Sequence, residues 1–390
     1  MKLLTKRLLS IDVLRAVIMF LMIFVNDLSG VKHLPHWMEH AAANEDALGF
    51  ADIIFPAFLF ITGLSIPLAL QNRIKINDST YETLSHITTR SAALITMGFY
   101  QVNLDDYSST SWLPKAIWAL IVTISFFMIW LDYPKNMNKF IKYRIVLTGV
   151  FLLIIMAILY KSTSSSAFIA MRSSWWGILG VIGWTYFVCA VIYYLFRKNL
   201  YLLLICLLIF AGINIAEHTN LLDDKLWLIG DASSVTLTFA GIVFSAFYTN
   251  CLQNNKLQKF WATLTIAGVA VLIFGILVRP FAEGISKISS TPAWVFICMG
   301  ITILIWQVFI YLVDKLGKKD LLKFIRPAGT STLTCYLMPY FLVYTLSLFH
   351  FTYPVFFNEG IGAIIRSLLV SIFLIWLVGL MEKKNLTIKI

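Results

Sequence analysis

The sequence predicts an all-helical protein that crosses a lipid bilayer many times, and three observations support this. The 390 residues are 59% hydrophobic and 13% charged, which is about half the charged fraction of an average soluble domain. The mean hydropathy is +0.82. Apolar runs of roughly 17 or more residues recur from end to end, and each run is long enough to span hydrocarbon as a helix.

These apolar runs predict about twelve (10–12) transmembrane helices. In order, the predicted spans are 8–26, 50–70, 86–104, 113–131, 145–160, 176–196, 200–216, 232–249, 260–278, 294–313, 328–349 and 360–380. No linker or low-complexity tract separates two halves. Residues 1–390 are therefore expected to form a single transmembrane domain.

The distribution of basic residues predicts the orientation of the chain. Of the 31 lysines and arginines, 21 fall in segments on the same side as the N-terminus and 7 on the other side, with Arg15, Arg90 and Arg366 inside spans. Because cytoplasmic loops carry the excess of positive charge, both termini are expected in the cytoplasm of a multi-pass protein of the inner (cytoplasmic) membrane. The net charge of +11 is explained by this topology and by attraction to lipid headgroups, and it does not indicate nucleic-acid binding.

A polar stretch separates the first two predicted spans. It ends at Asp52, whose carboxylate lies inside the second predicted span. An ionisable group at membrane depth is costly and marks a functional site by default. The charge distribution places this stretch on the outer side of the membrane. Its chemistry-bearing residues are Asn26, Asp27, His33, His36, His40, Asn44, Glu45, Asp46 and Asp52.

Three of the six histidines of the chain lie in this stretch, at His33, His36 and His40. On a short helix they would share a face, so a three-histidine metal site is conceivable. No thiolate or outer-shell partner accompanies them, and no metal is expected. We interpret His33 and His36 as loop residues in solvent.

His40 differs from the other two because a carboxylate follows it at Asp52, at the start of the second span. A carboxylate that folds back toward an imidazole holds its tautomer and raises its basicity. Asp52 alternatively serves only as an N-terminal helix cap.

The two ends of the first span also carry polar groups. Asp12 and Arg15 are three residues apart on one helix face and either cap the helix start or place a guanidinium at the mouth of a cavity suited to phosphate. The amide of Asn26 either meets water or holds a carbonyl oxygen on which charge develops. Lys287 and Arg279 lie on the predicted outer side, although basic residues are usually concentrated in cytoplasmic loops. This exception suggests an anionic acceptor or the lipid interface as their partner.

Three segments carry a resemblance to a known family. They are SIDVLRA (10–16), LMIFVND (21–27) and HAAANEDALGFADIIFPAFLFITGLSIP (40–67). This pattern resembles the heparan-α-glucosaminide N-acetyltransferase family and its bacterial relatives, within the wider transmembrane acyltransferase superfamily. The match is specific over residues 7–68 and looser at 172–187, 284–294 and 327–340.

The resemblance implies a membrane-embedded enzyme that passes an acetyl group from cytoplasmic acetyl-CoA to an amine or hydroxyl of a sugar or glycan on the outer face. It implies that His40 is the catalytic histidine, that Asn26 and Asp52 accompany it, and that Asp12 and Arg15 form the opening motif. It also suggests a homodimer.

The chain departs from the family pattern at two places. Ala16 replaces a glycine, and residues 44–46 lengthen the stretch between His40 and Asp52. The longer stretch bears on the acceptor, since this loop is expected to line the acceptor side.

Acyl transfer needs a base, an oxyanion donor and a holder for the CoA phosphates. His40 suits the base, or alternatively an acyl carrier, and Asn26 suits the oxyanion donor. Either Asp52 or Asp27 would orient the imidazole. The expected contacts to acetyl-CoA are Arg15, Asp12, Arg90 and Lys287. The basic loop at 315–326 is a further candidate for the phosphates, but its charge is better explained by topology alone.

The alternative function is a transporter or flippase of a small polar or glycan substrate. The span count and the charges inside spans at Arg15, Arg90 and Arg366 favour it. Against it, the polar residues concentrate near the outer face, whereas transporter sites lie near the midplane between repeats.

Overall fold

A computed structural model describes residues 9–75, 78–164, 170–222, 226, 228–254, 256–318, 320 and 322–390. The described residues are predominantly helical, and their only β-type pairings are isolated bridges. A long helix lies at each of the twelve predicted spans. The helices are α1 (Leu9–Leu28), α2 (Phe50–Lys75), α3 (Thr80–Val102), α4 (Lys115–Trp130), α5 (Lys139–Leu159), α6 (Gly177–Phe196), α7 (Leu200–His218), α8 (Ser233–Gln253), α9 (Leu257–Val278), α10 (Pro292–Phe309), α11 (Arg326–Thr330), α12 (Thr332–Leu348) and α13 (Gly360–Lys383).

Nine helices in the described part of the chain are long and apolar enough to cross a membrane. Two further helices, α4 and α12, are apolar but shorter than the nine. The helix α3 is long enough but is not among the nine, and it carries the charged residues Glu82 and Arg90. The count of twelve spans and the cytoplasmic position of both termini therefore stay predictions. Five residues that entered the charge distribution lie outside the described residues, namely Lys2, Lys6, Arg7, Lys225 and Lys319.

The predicted span at 328–349 is not one helix. It divides at Ser331 into the short α11 and the longer α12. The division lies where α11 crosses α1, and a Cβ at Gly329 would collide with the carbonyl oxygen of Asp12. The close crossing of two backbones explains a break that hydropathy does not reveal.

The helices differ in how much of each is buried inside the protein. Of the most apolar 18-residue window, 72% is buried in α8 but only 17% in α5 and in α9. α8 therefore belongs to the centre of the bundle, and α5 and α9 present apolar faces suited to lipid.

The central contact joins α2 to α8 through a pair of glycines. A Cβ on Gly63 would collide with the carbonyl oxygen of Thr238, and a Cβ on Gly241 with that of Phe60. Small residues at such positions allow helix backbones to approach closely within a membrane. This contact fixes the position of α2, which carries Asp52.

Replacing Gly241 by alanine is expected to destabilise the protein by about 1–3 kcal/mol or more, because the added methyl group has no space. Thermal unfolding of the detergent-solubilised protein measures this change. The matched control is Gly212→Ala on α7, where an added Cβ meets no atom within 4 Å. The control should be neutral or stabilising by up to about 1 kcal/mol, because alanine is the better helix former. Equal effects of the two substitutions would contradict the packing argument.

Candidate active site

His40 and Asp52 are in direct contact at the end of the bundle where α1 ends and α2 begins. The two groups are joined by a hydrogen bond of 2.6 Å between His40 Nδ1 and Asp52 Oδ1. The other carboxylate oxygen, Oδ2, accepts the backbone N–H groups of Ala41 and Gly49, each at 3.1 Å. The structure thus brings together the imidazole and the carboxylate that the sequence placed twelve residues apart.

The environment of this pair determines which nitrogen of the imidazole can react. The side chain of Asp52 is 1% exposed and that of His40 is 37% exposed. An ionised carboxylate only accepts hydrogen bonds, so Nδ1 of His40 carries the proton and donates it to Asp52. Nε2 then carries the lone pair, which is the form of imidazole that acts as a base.

Lys287 lies against the same imidazole. It comes from the loop at 282–291, between α9 and α10, and its Nζ is 3.2 Å from Nδ1 and 3.4 Å from Nε2 of His40. Asp52 Oδ1 is 4.0 Å away. Burial lowers the pKa of Lys287, and the nearby Asp52 carboxylate opposes part of that effect. Lys287 was predicted to contact acetyl-CoA, and the structure places it beside His40.

An ion pair ties the histidine loop to the loop that carries Lys287. Asp46 accepts the Nε–H of Arg279 at 2.9 Å and 3.0 Å and the backbone N–H of Ile285 at 2.6 Å. Partial burial favours the neutral carboxyl, but the Ile285 N–H and the Arg279 guanidinium outweigh it, so the pKa of Asp46 is lowered. We call this contact of Asp46, Arg279 and Ile285 the loop clamp.

Sequence reasoning missed the loop clamp, although it had both parts. It identified residues 44–46 as an addition to the family pattern and Arg279 as a basic residue on the unexpected side. Asp46 lies in the added residues and Arg279 breaks the expected distribution of basic residues, and both were assigned to the same side of the membrane. Two such opposite charges on one side indicate an ion pair between loops.

Asp27 and Asn26 do not contact His40 in the described structure. Asp27 instead accepts hydrogen bonds from Arg366 Nε at 3.2 Å and from Ser367 Oγ at 2.5 Å. Asn26 is exposed and lines a cavity of about 380 Å³, which we call the outer cavity. Of the two carboxylates that the sequence offered to orient the imidazole, Asp52 makes the contact.

A larger cavity of about 790 Å³ lies at the opposite end of the bundle, where α1 begins. We call it the inner cavity, and the charge distribution predicts that it faces the cytoplasm. Its lining includes three of the four residues predicted to contact the donor, Asp12, Arg15 and Arg90. It also includes Lys389, which sequence reasoning missed because a lone lysine near the end of the chain looks like ordinary topological charge.

The arginines of the inner cavity are held in defined positions. Arg15 donates to Asp12 Oδ1 at 3.2 Å and to Ser65 Oγ at 2.5 Å. The guanidinium of Arg90 lies over the Tyr186 ring, 4.9 Å from its centre. Planar guanidinium groups fixed in this way are suited to phosphate oxygens.

One face of α2 lines the inner cavity. The α2 residues on it include Phe58, Thr62, Ser65, Ala69 and Asn72, at alternating spacings of four and three. Phe58 follows Asp52 by six residues, which is about 9 Å along a helix that rises 1.5 Å per residue. The inner cavity thus extends along α2 toward the His40–Asp52 pair, although His40 is not among the described residues that line either cavity.

Comparison with known proteins agrees with the resemblance seen in the motifs. The human heparan-alpha-glucosaminide N-acetyltransferase is 38% identical over 98 residues, which are 25% of this chain and 14% of that protein. The mouse protein of the same name is 36% identical over 98 residues, with the same coverage. The match thus spans about one seventh of the length of these relatives, and over it the resemblance to this N-acetyltransferase family is confirmed. A family model described as a domain of unknown function (DUF5009) matches residues 7–229. Because that model covers more than half of the 390 residues, the chain belongs to the DUF5009 family.

Proposed function

We propose that this protein is a membrane-embedded acyltransferase that moves an acetyl group from cytoplasmic acetyl-CoA to an amine or hydroxyl of a sugar or glycan on the outer face. The observation that carries the proposal is the inner cavity, which holds Arg15 and Arg90 and runs along α2 toward Asp52. An anionic donor bound at one end would have its acyl group directed toward a general base at the other. Acetyltransferase similarity over 98 residues supports the same reaction class.

The chemistry follows from the two groups that are in contact. Nε2 of His40 takes a proton from the acceptor as the acceptor nitrogen or oxygen attacks the thioester carbon. Asp52 holds the proton on Nδ1 and stabilises the imidazolium that forms. The carbon–sulfur bond then breaks, and the CoA sulfur leaves with the proton that His40 returns. In the alternative, Nε2 itself attacks the thioester carbon, the carbon–sulfur bond breaks and CoA leaves as the thiolate. The acceptor then attacks the acetyl group on Nε2, loses its proton to the thiolate or to water, and the carbon–nitrogen bond breaks to restore His40.

The outer cavity supports a sugar acceptor. Its lining combines amide and carboxylate groups with the faces of aromatic rings, a combination that orients polar ligands within a largely apolar site. Asn26, Gln101 and Asp105 supply the polar groups, and Trp175, Tyr336 and Tyr340 supply rings. The inner-membrane location, the cytoplasmic termini and a homodimer belong to this proposal.

Two of the three charges that favoured a transporter, Arg15 and Arg366, pair with the two ends of α1, and the third, Arg90, lines the inner cavity. Arg15 pairs with Asp12 at 3.2 Å, and Arg366 pairs with Asp27 at 3.1 Å. Asp12 and Asp27 are fifteen residues apart, or about 22 Å along the helix. Between these ends α1 carries only apolar side chains at residues 16–25, whereas a transporter site lies at the midplane, so α1 favours the enzyme.

Replacing Arg15 by methionine is expected to raise the KM for acetyl-CoA roughly 10- to 100-fold, since a hydrogen bond between charged groups contributes about 1.5–3 kcal/mol. The measurement is CoA release by purified protein in proteoliposomes. The protein is given labelled acetyl-CoA, and glucosamine serves as the test acceptor. The control is Lys318→Met, which removes an exposed charge of the 315–326 loop outside the cavity lining.

Two outcomes would contradict the proposal. Wild-type protein that releases no CoA and labels no acceptor would rule out the reaction. If Arg15→Met bound acetyl-CoA as tightly as wild type while Lys318→Met lost binding, the donor site would have to lie at the 315–326 loop.

A further inference from the structure

The amino group of Lys287 occupies an unusual position relative to the imidazole. Its distances to the two ring nitrogens of His40 are nearly equal, 3.2 Å and 3.4 Å. The outward in-plane directions at the two ring nitrogens diverge, so a donor aligned with one nitrogen cannot be equally close to both. Nζ therefore lies against the face of the ring, and its N–H bonds are not aligned with the lone pair of Nε2.

Among the described residues, the two ring nitrogens of His40 are the only polar atoms within 3.5 Å of Lys287 Nζ. Asp52 does not accept a hydrogen bond from this amino group. The distance from Nζ to Asp52 Oδ1, 4.0 Å, is too long for a hydrogen bond, and both carboxylate oxygens already accept other donors. The side chain of Lys287 is 30% exposed, so its N–H bonds remain accessible beside Nε2.

Two sets of contacts hold Lys287 in this position. The loop clamp fixes the chain before it, through Ile285. After it, the carbonyl oxygen of Ser289 faces His218 Nε2 at 2.9 Å, and that of Ser290 accepts the buried amide of Asn214 at 3.3 Å. A cation anchored on both sides of its position in the chain does not need to reorganise when negative charge develops near it.

The reaction proposed above creates a negative charge at this place. A nucleophile deprotonated by Nε2 attacks a carbonyl carbon close to that nitrogen, and the carbonyl oxygen becomes an oxyanion. Lys287 Nζ is the charged donor nearest to Nε2 among the described residues, whereas Asn26 lies on the outer cavity without a contact to His40.

We propose that Lys287 is a catalytic residue whose ammonium group stabilises the oxyanion formed on the thioester carbonyl while His40 takes the proton of the acceptor. This assignment rests on the proposed acyltransferase function. The acceptor–carbon bond forms as the carbonyl electron pair moves to oxygen. That pair then returns, the carbon–sulfur bond breaks, and the CoA sulfur leaves with the proton from His40.

The charges of the four groups support this role. Before reaction, the ammonium of Lys287 and the carboxylate of Asp52 cancel, while the imidazole and the thioester are neutral. In the tetrahedral intermediate, the imidazolium and the oxyanion add one charge of each sign, so the site remains neutral. A site of low dielectric constant favours a step that creates no net charge.

The test compares Lys287→Met, Lys287→Arg and wild type in the CoA-release assay with glucosamine. Lys287→Met is expected to lower kcat roughly 10²–10³-fold, as the loss of one oxyanion donor does, with little change in the KM for glucosamine. Lys287→Arg should restore part of that rate, because arginine retains the positive charge. Lys32→Met, at an exposed lysine of the histidine loop, is the control.

The pH profile separates an electrostatic role from a structural one. Burial lowers the pKa of Lys287, so the ammonium form, and with it activity, is lost as the pH rises through that lowered value. Arginine stays protonated throughout this range, and Lys287→Arg should therefore move the alkaline limit of activity to higher pH.

Each contrary result has a distinct meaning. A raised KM for glucosamine with unchanged kcat would overturn the assignment and make Lys287 an acceptor-binding cation. If thermal unfolding of Lys287→Met matched wild type but Lys287→Arg neither restored rate nor shifted the alkaline limit, the oxyanion role would be wrong. An inactive wild-type protein would instead overturn the acyltransferase function, and this assignment with it.

Discussion

Replacing His40 by alanine should lower kcat by roughly 10²–10⁴-fold, which is the contribution of a well-placed general base. The imidazole contacts both the buried Asp52 carboxylate and the Lys287 amine. The measurement is CoA release from labelled acetyl-CoA by purified protein in proteoliposomes.

The matched control is His36→Ala in the same loop. His36 is 75% exposed and lies 3.3 Å from Glu45, away from Asp52. Its loss should leave turnover close to wild type, and if the two variants were equally active the assignment of His40 would fail. Label recovered on His40 after rapid quenching would identify the acyl-carrier route, while label only on acceptor would identify direct transfer.

Replacing Asp52 by asparagine should lower kcat by a similar factor, roughly 10²–10⁴, by a different route. The asparagine amide can donate a hydrogen bond to Nδ1 of His40, which moves the ring proton to Nε2. The tautomer that can act as a base is then lost, although the shape of the side chain and the contacts of its oxygen with Ala41 and Gly49 can persist.

Kinetics of Asp52→Asn, measured with its thermal unfolding, tests this tautomer argument. A normal unfolding temperature with a low kcat is the expected combination. Asp27→Asn is the informative comparison, because Asp27 bonds to Arg366 and Ser367. A larger fall in kcat for Asp27→Asn than for Asp52→Asn would show that Asp27 orients the imidazole.

Much of the architecture could be predicted because hydropathy and helix length are local properties. The positions of the long helices follow from apolar runs, and the hydrogen bond between His40 and Asp52 joins residues only twelve apart. The break at Ser331 could not be predicted, since it depends on a backbone crossing between α11 and the distant α1.

The parts of the site that prediction missed join residues far apart in sequence. Asp46 and Arg279 are separated by 233 positions and Lys287 and His40 by 247. The arrangement of the helices decides which loops come into contact. The sequence of a single loop carries no information about that arrangement. The sequence consequently predicted an anionic partner or acetyl-CoA for Lys287 but not its position beside His40.

The glycine crossing between α2 and α8 has a consequence for how a chemical group can pass the bilayer. Two backbones this close leave no space for a side chain between them, so α2 and α8 are packed directly against each other. In the proposed enzyme the donor extends along α2 toward His40, and only the two-carbon acetyl group passes to the acceptor on the outer face. Transfer is then driven by the free energy of thioester cleavage. It does not require one half of the protein to move relative to the other.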